Sequence, residues 1–325
     1  MIYKSYKTIC ISSEIYNCIY KSTIFHEDNL SQLTQSPDYP NEGSENIYLA
    51  TYYDQRIVSI TIVKLYKFLF PLFFFARINR GPHLLNAVSS ESYKLIIKSI
   101  YKLLKSKRIY FVIFASNILY KTSFLRPTFW SLKLPFERWS SSYIKLDKES
   151  NLLLAGFKSK WRNTLKKGLK TVLVEEVFKD YVLDLIIEQY QEMAQAKSFT
   201  PINRHQIIKW WLNNFKIESQ LPILSIYRAF LSADPKSTIG VVGIINYAHT
   251  SQYLFGFSNR EGRSKHANSV LLWHAIQESL SKGNKIFDLG GLSKSTPSGI
   301  RKFKNGINGK NYSLMGEYLS TTIIS

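Results

Sequence analysis

Residues Lys285 to Lys310 read KIFDLGGLSKSTPSGIRKFKNGINGK. The segment begins with a short apolar run around one acid, Asp288, after which Gly290 and Gly291 permit a turn where a side chain would clash. After a loop, Ile300 to Lys304 surrounds one aromatic residue with three cations and no acid. The pattern predicts a strand, a turn and a basic segment, which is either a site for an anionic ligand or a solvated surface helix.

The length and charge of the chain narrow the classes of protein that fit. A chain of 325 residues suggests about two domains. Lysine and arginine number 43 against 23 acids, which gives a net charge of +20. Such an excess attracts polyanions, so nucleic acid, nucleotide-linked substrates and anionic membrane surfaces are all plausible partners.

Neither secretion nor metal binding is indicated. The N-terminal residues lack a long apolar segment and a cleavage site, which predicts a cytoplasmic protein. The two cysteines, Cys10 and Cys18, are too few for a disulfide framework, and no Cys/His cluster has metal-ligand spacing. The most apolar run, Phe68 to Ala76, is shorter than the ~20 residues of a spanning helix and is expected to form a buried strand.

Hydrophobic periodicity predicts the same order of elements in both halves of the chain: three strands, a helix and a further strand. The first set consists of a hairpin (Ile47 to Tyr53, Ile57 to Tyr66), a third strand (Phe68 to Ala76), a helix around Tyr93 to Leu104 and a strand at Ile109 to Ala115. The second set consists of strands at Ile223 to Phe230, Gly240 to Tyr247 and Tyr253 to Phe257, a helix at Ser269 to Lys282 and the strand at Ile286 to Leu289. Helices from Val182 to Ala196 and from Ile207 to Phe215 precede the second set, and Asn311 to Leu319 is the last strand. We therefore expect an α+β fold used twice, with domains at 1–150 and 151–325.

A basic amphipathic helix is predicted between the two sets. Lys158 to Lys170 contains six cations and no acid. Trp161, Leu165 and Leu169 recur every fourth residue, so they form one apolar stripe with cations on the adjoining face. The helix either packs through this stripe with solvated lysines, or also holds phosphates of RNA or of a nucleotide sugar.

A polar loop, Ser258 to Asn268, leads into the helix of the second half. Its backbone N–H groups would lie at a helix N-terminus, where anions bind. Arg260 and Arg263 stand close by in sequence.

Three motifs resemble the FemABX family, the aminoacyltransferases that form peptidoglycan interpeptide bridges and consist of two tandem GNAT-like domains. Asp288-Leu289-Gly290-Gly291 with Gly299 to Lys304 downstream is similar to that family's DxGG…G…FK signature. Arg80-Gly81-Pro82 is similar to its RGP turn, and Lys160 to Lys167 to its basic helix. The resemblance implies two domains, each with a mixed, largely antiparallel sheet flanked by helices.

The resemblance also implies an activity: transfer of an aminoacyl group from aminoacyl-tRNA to an amine of a cell-wall precursor, without metal or cofactor. Lys304 would stabilise the charge that develops on the ester carbonyl oxygen, beside Phe303. Asp288 is either the base or an acid that pairs with a cation at the strand end. The further residues expected to bind substrate are Arg162, Lys166, Tyr190, Arg260, Arg263, Gly290, Gly291 and Arg301.

These motifs do not determine the donor or the acceptor of the transferred group. The loop that holds CoA pyrophosphate in GNAT enzymes has a glycine where this chain has His266, which argues against an acyl-CoA donor without removing it as the alternative. The acceptor is a nucleotide-linked or lipid-linked envelope precursor, in the second case with peripheral contact at the inner face of the membrane. The alternatives are an acyl-CoA-dependent N-acyltransferase acting on a nucleotide-linked amino sugar in polysaccharide synthesis, and a non-catalytic RNA-binding protein.

Overall fold

The computed structural model describes residues 5–22, 33–36, 45–67, 74–120, 131–196, 198, 200–216, 222–294 and 296–323. The chain divides into two compact units, of which the first comprises Met1–Ser140 with Tyr312–Ser325 and the second Ser141–Asn311. Each unit carries a mixed sheet flanked by helices. The predicted α+β class is therefore confirmed.

The elements follow one another in an order close to the predicted one. The N-terminal unit begins with β1 (Tyr6–Ile11), α1 (Ser13–Ser22), β2 (Glu45–Tyr53), β3 (Arg56–Lys67), β4 (Phe74–Gly81), β5 (His83–Leu84), α2 (Ser90–Ser106), β6 (Phe111–Ser116) and β7 (Ser131–Lys133). Next come β8 (Ser140–Lys145), α3 (Ser150–Ala155), α4 (Ser159–Gly168), β9 (Val172–Glu176), α5 (Asp180–Ala196), α6 (Arg204–Leu212), β10 (Ile223–Leu231), β11 (Gly240–Tyr247), β12 (Thr250–Ser258), α7 (Arg260–Ser264), α8 (Ala267–Ser281), β13 (Ile286–Asp288), α9 (Ser298–Asn305) and β14 (Lys310–Ser313). The last strand, β15 (Glu317–Thr321), returns to the first sheet.

The N-terminal sheet has the order β1-β2-β3-β4-β6-β15-β7, with β5 paired to β3. The predicted hairpin is present as β2 and β3, which pair antiparallel. Of the predicted strand Phe68 to Ala76, residues 68–73 lie outside the described part, and β4 begins at Phe74. Helix α2 packs on this sheet because Tyr93, Ile96 and Ile100 form one buried stripe at helical spacing.

The C-terminal sheet has the order β14-β8-β13-β12-β11-β10-β9. Its core lies under α4 and α8, where Trp161 and Leu165 of the basic helix are buried together with Leu271 and Trp273. Gly283, at φ 76°, follows the last turn of α8, where a left-handed backbone ends a helix.

The end of the chain differs from the expectation of one strand at Asn311 to Leu319 in a domain that runs to residue 325. Two strands are present instead: β14 belongs to the C-terminal sheet, whereas β15 pairs with β6 and β7 of the N-terminal sheet. Gly316, at φ 97°, separates them, because such a backbone does not continue a strand. The division between the units also falls after Ser140 rather than at residue 150.

Candidate functional site

The parallel strands β12 and β13 pair over a short distance. Thr250–Gln252 pairs with Ile286–Asp288, after which β12 continues to Ser258. The corresponding strands of the N-terminal unit, β4 and β6, pair from Phe75 to Gly81. Within the described residues, the glycine pair of the DxGG motif therefore comes directly after Asp288, where the parallel pairing of β12 and β13 ends.

Asp288 ends β13 and is fully buried. Its Oδ1 accepts hydrogen bonds from the backbone N–H of Gly290, at 2.7 Å, and from the hydroxyl of Ser141 on β8. The Ser141 oxygen also lies 2.7 Å from the carbonyl oxygen of Gly290. A carboxylate held in this way fixes the turn that follows it. This favours a structural role for Asp288 over the role of catalytic base.

Gly290 needs to be glycine for two reasons. Its φ is 70°, in the left-handed region that side chains disfavour. A Cβ atom there would also lie 2.5 Å from the carbonyl oxygen of Tyr253 on β12 and 3.6 Å from Nζ of Lys304. Because Gly290 has no side chain, the turn can lie close to both β12 and Lys304.

Lys304 reaches this turn from α9. Its Nζ donates to the carbonyl oxygen of Gly291 at 3.2 Å and lies 4.8 Å from the centre of the Tyr253 ring. The residue is only 6% exposed, which is unusual because lysine is almost never buried without partners. The structure therefore brings Asp288, Gly290, Gly291 and Lys304 together.

The surroundings of Lys304 change its proton affinity. Burial lowers the pKa of its ammonium group from 10.5 to about 8, against the opposing effect of the Asp288 carboxylate. A lysine in this range holds its proton at pH 7 and releases it within the range where enzymes work. The site thus contains a desolvated cation that can stabilise a developing negative charge.

Aromatic side chains surround the site on the β12 side. Tyr190 of α5 stacks on Phe255, with 4.7 Å between the ring centres. Burial, together with the neighbouring Tyr190, raises the pKa of the Tyr253 phenol, which stays protonated. The pairing of β11 and β12 shifts register at this position, and such bulges occur frequently next to active sites.

Tyr253 and Ser141 were not predicted from the sequence. Each lies in a strand whose residue pattern indicates only burial, and their contacts to the turn arise from pairing between strands distant in sequence. No local motif could have found them.

Phe303, predicted to lie beside the reacting groups, is half-buried and connects α9 to the basic helix. Its ring centre lies 6.3 Å from that of Trp161 in α4. Next to it, a Cβ atom at Gly306 would lie 2.5 Å from Cδ1 of Trp161, and the Gly306 carbonyl oxygen accepts from the N–H of Lys158 at 2.9 Å. The end of α9 and the start of α4 are therefore packed closely together.

The residues of α4 and α9 that were predicted to bind substrate differ in their contacts. Arg162 donates from its guanidinium to the carbonyl oxygen of Ala155 and to the Ser159 hydroxyl, so it closes the end of α3. Lys166 is exposed, and Arg301 is half-buried. Of these three, Arg162 has the clearest structural role.

Arg260 and Arg263 belong to another region. They lie on α7, which replaces part of the predicted loop, and Arg263 donates to the carbonyl oxygen of Ser258 at 2.6 Å. Ser258 is five residues along β12 from Tyr253, or about 16 Å in an extended strand. These arginines are thus not gathered with Lys304.

The end of α4 packs beside the start of α8, which was predicted to be open to anions and where His266 and Asn268 are partly exposed. A Cβ atom at Gly168, the last residue of α4, would lie 2.6 Å from Cγ2 of Val270 and 3.2 Å from the carbonyl oxygen of Lys265. His266, where a pyrophosphate loop has glycine, adopts φ 63° immediately before α8. The backbone of α4 therefore occupies space next to the first turn of α8.

The described residues contain neither a cluster of metal-binding side chains nor a helix that could span a membrane. No group of three or more His, Cys, Asp or Glu residues there is arranged to hold a metal ion. No helix in those ranges has both the length and the apolar character needed to cross a membrane.

Comparison with known proteins supports the family resemblance. The FemAB family model matches residues 226–322, which include β13 and α9. The sequence comparison with curated proteins gave no significant match.

The fold has solved relatives. A crystal structure of FemX superposes with a TM-score of 0.75 at 13% identity, covering 96% of each chain. The structure of L-PGS from Bacillus licheniformis gives 0.54 at 14% identity, over 95% of this chain and 91% of that one. A tandem GNAT protein from the clavulanic acid biosynthesis pathway gives 0.53 at 7% identity, over 98% and 99%. At these identities the likeness establishes the tandem GNAT-like fold.

Proposed function

We propose that this chain is a transferase that moves an aminoacyl group from aminoacyl-tRNA to an amine of a cell-wall precursor. The match of residues 226–322 to the FemAB family model supports this assignment. The observation that carries this proposal is the buried, protonated Lys304 at the end of the short β12–β13 pair. The likeness of the fold to FemX and to L-PGS supports the aminoacyl donor.

The proposed reaction needs a cation where Lys304 lies. The acceptor amine attacks the carbonyl carbon of the aminoacyl ester, a C–N bond forms, and the carbonyl oxygen becomes negatively charged. The ester C–O bond then breaks, and the released ribose hydroxyl takes up the proton that the amine loses. A desolvated ammonium beside the oxyanion stabilises this intermediate more than an ammonium in water would, because a site of low dielectric strengthens the attraction.

The remaining residues of the site position this cation. Gly291 accepts from Nζ, Tyr253 places its ring under the charge, and Asp288 holds the turn. Asp288 is fully buried and its Oδ1 accepts from Ser141 and Gly290, so we assign it the positioning role rather than that of the base.

An acyl-CoA donor is the less favoured alternative. GNAT enzymes hold the pyrophosphate at the N-terminus of the helix that corresponds to α8, in a loop with a glycine where this chain has His266. The non-catalytic alternative gives no reason to bury a lysine, since phosphate binding uses exposed cations.

The test is a transfer assay. The protein is incubated with a mixture of charged tRNAs and a UDP-linked muropeptide, and the acceptor is followed by mass spectrometry for the gain of one aminoacyl residue. We expect transfer by the wild-type chain and its near loss in Lys304→Gln. A parallel reaction with acetyl-CoA and a UDP-linked amino sugar tests the alternative. Transfer from acetyl-CoA alone, by folded protein, would refute the proposal.

A further inference from the structure

The outward face of α4 is strongly basic. Lys160, Lys166, Lys167 and Lys170 are all exposed in or just after this helix. At 100° per residue they lie within one broad sector, opposite the buried Trp161 and Leu165, together with the exposed Ser159 and Asn163. We call these four lysines the α4 basic face.

Neither end of α4 is free, and its contacts set the direction of this face. At its start, the N–H of Lys158 donates to the carbonyl oxygen of Gly306, next to α9 with its Lys304. At its end, Gly168 packs against the backbone of Lys265 and His266 before α8. The helix spans about 15 Å between these contacts, at 1.5 Å per residue. The α4 basic face is therefore a cationic strip that starts beside the helix carrying Lys304.

The composition of the strip favours an extended polyanion over a membrane. A helix that binds a lipid surface exposes apolar residues at the centre of its binding face, flanked by cations. On α4 the exposed face carries lysines with Ser159 and Asn163 and no apolar residue at its centre, whereas Leu169 lies at its margin beside Arg162. A row of flexible ammonium groups without an apolar centre matches the regularly spaced phosphates of a nucleic acid.

We propose that the RNA of the donor lies along the α4 basic face, with its phosphates contacting Lys160, Lys166, Lys167 and Lys170, and its aminoacylated end directed towards Lys304. This inference rests on the proposed function, because it assigns a place to that function's donor.

The first test measures binding without catalysis. Deacylated tRNA is titrated by fluorescence anisotropy against wild-type protein, Lys160→Gln/Lys167→Gln and a control, Lys94→Gln/Lys98→Gln, at several salt concentrations. The control removes two exposed lysines from α2 in the N-terminal unit. We expect the α4 pair to weaken binding about tenfold and to reduce the slope of log K against log salt by about 1.4 to 1.8, because each lost phosphate contact lowers it by about 0.7 to 0.9. Equal effects of both pairs, or no effect of the α4 pair, would overturn the inference.

The second test separates this inference from the proposed function. Transfer is measured with full aminoacyl-tRNA and with an aminoacylated 3′-terminal dinucleotide, which is too short to span the strip. Lys160→Glu/Lys167→Glu should raise KM for the tRNA at least tenfold while its rate with the dinucleotide falls less than threefold. Failure of the wild-type chain to use either donor would refute the proposed function and leave the binding result standing. A KM for tRNA unchanged in the variant would refute the inference alone.

A membrane is the competing occupant of the strip. Sedimentation with vesicles that contain phosphatidylglycerol is compared for wild type and for Lys160→Glu/Lys167→Glu. Loss of vesicle binding in the variant, with tRNA binding intact, would assign the strip to a membrane and overturn the proposal. Intact vesicle behaviour with weakened tRNA binding supports it.

Discussion

Transfer should stop as the pH rises through the pKa of Lys304. With that pKa at about 8, roughly 90% of Lys304 is protonated at pH 7 and roughly 10% at pH 9. Because the charged form stabilises the oxyanion, we expect kcat to level off below pH 8 and to fall about tenfold per unit above it. Initial rates are measured from pH 6 to 10, with hydrolysis of the donor ester subtracted at each pH.

Variants of Lys304 test the cause of this pH dependence. Lys304→Gln should lower kcat by about 10² to 10³, the usual cost of losing one oxyanion partner, and abolish the alkaline decline. Lys304→Arg keeps the charge at every pH in the range, so its residual activity should not decline above pH 8. Lys302→Gln, at an exposed position of the same helix, is the matched control and should behave as wild type.

One result would refute this reasoning. If wild-type activity instead increased through pH 8, and Lys304→Arg lost that increase, neutral Lys304 would be acting as the base. An unshifted decline in Lys304→Arg would place the titrating group elsewhere.

Three further predictions concern the same site. Charging Lys304 in the folded chain costs about 3 kcal/mol, at about 1.4 kcal/mol per pKa unit, so Lys304→Met should raise the free energy of unfolding at pH 7. The unfolded chain binds this proton more tightly, so wild-type stability should increase from pH 8 to 10.5, and urea titrations of Lys304→Met should lack that increase. Asp288→Asn should move the alkaline decline to lower pH, since the carboxylate raises the pKa of Lys304, whereas loss of a base would lower kcat at every pH. Gly290→Ala should reduce kcat, whereas Gly283→Ala, equally at positive φ but with no neighbour within 4 Å, should cost only stability, as thermal melts would show.

Much of the architecture follows from residue order. The alternating Tyr, Val, Ile and Thr residues of Ile47 to Tyr66 predict the hairpin, because side chains of a strand alternate between its faces. The repeated Trp161 and Leu165 predict the buried stripe of α4 in the same way. Local periodicity therefore indicates which elements form and which face of each is buried.

The partners of the last strands are not a local property. Asn311 to Leu319 has the composition of one strand, yet β14 and β15 belong to different sheets. That outcome depends on which strand edges are still unpaired when the rest of the chain has folded, and no pattern within nine residues records it.

The sequence alone predicted a turn at the glycine pair and a basic segment after it, because these are local features, and its resemblance to a family signature singled out Asp288 and Lys304. Only the tertiary structure determined the environment of Lys304 and the pKa of its ammonium group. Its burial against Tyr253, from a strand about fifty residues earlier, removes water from the ammonium and lowers its pKa to about 8. Desolvation depends on everything packed around a group, and that packing exists only once distant segments have come together.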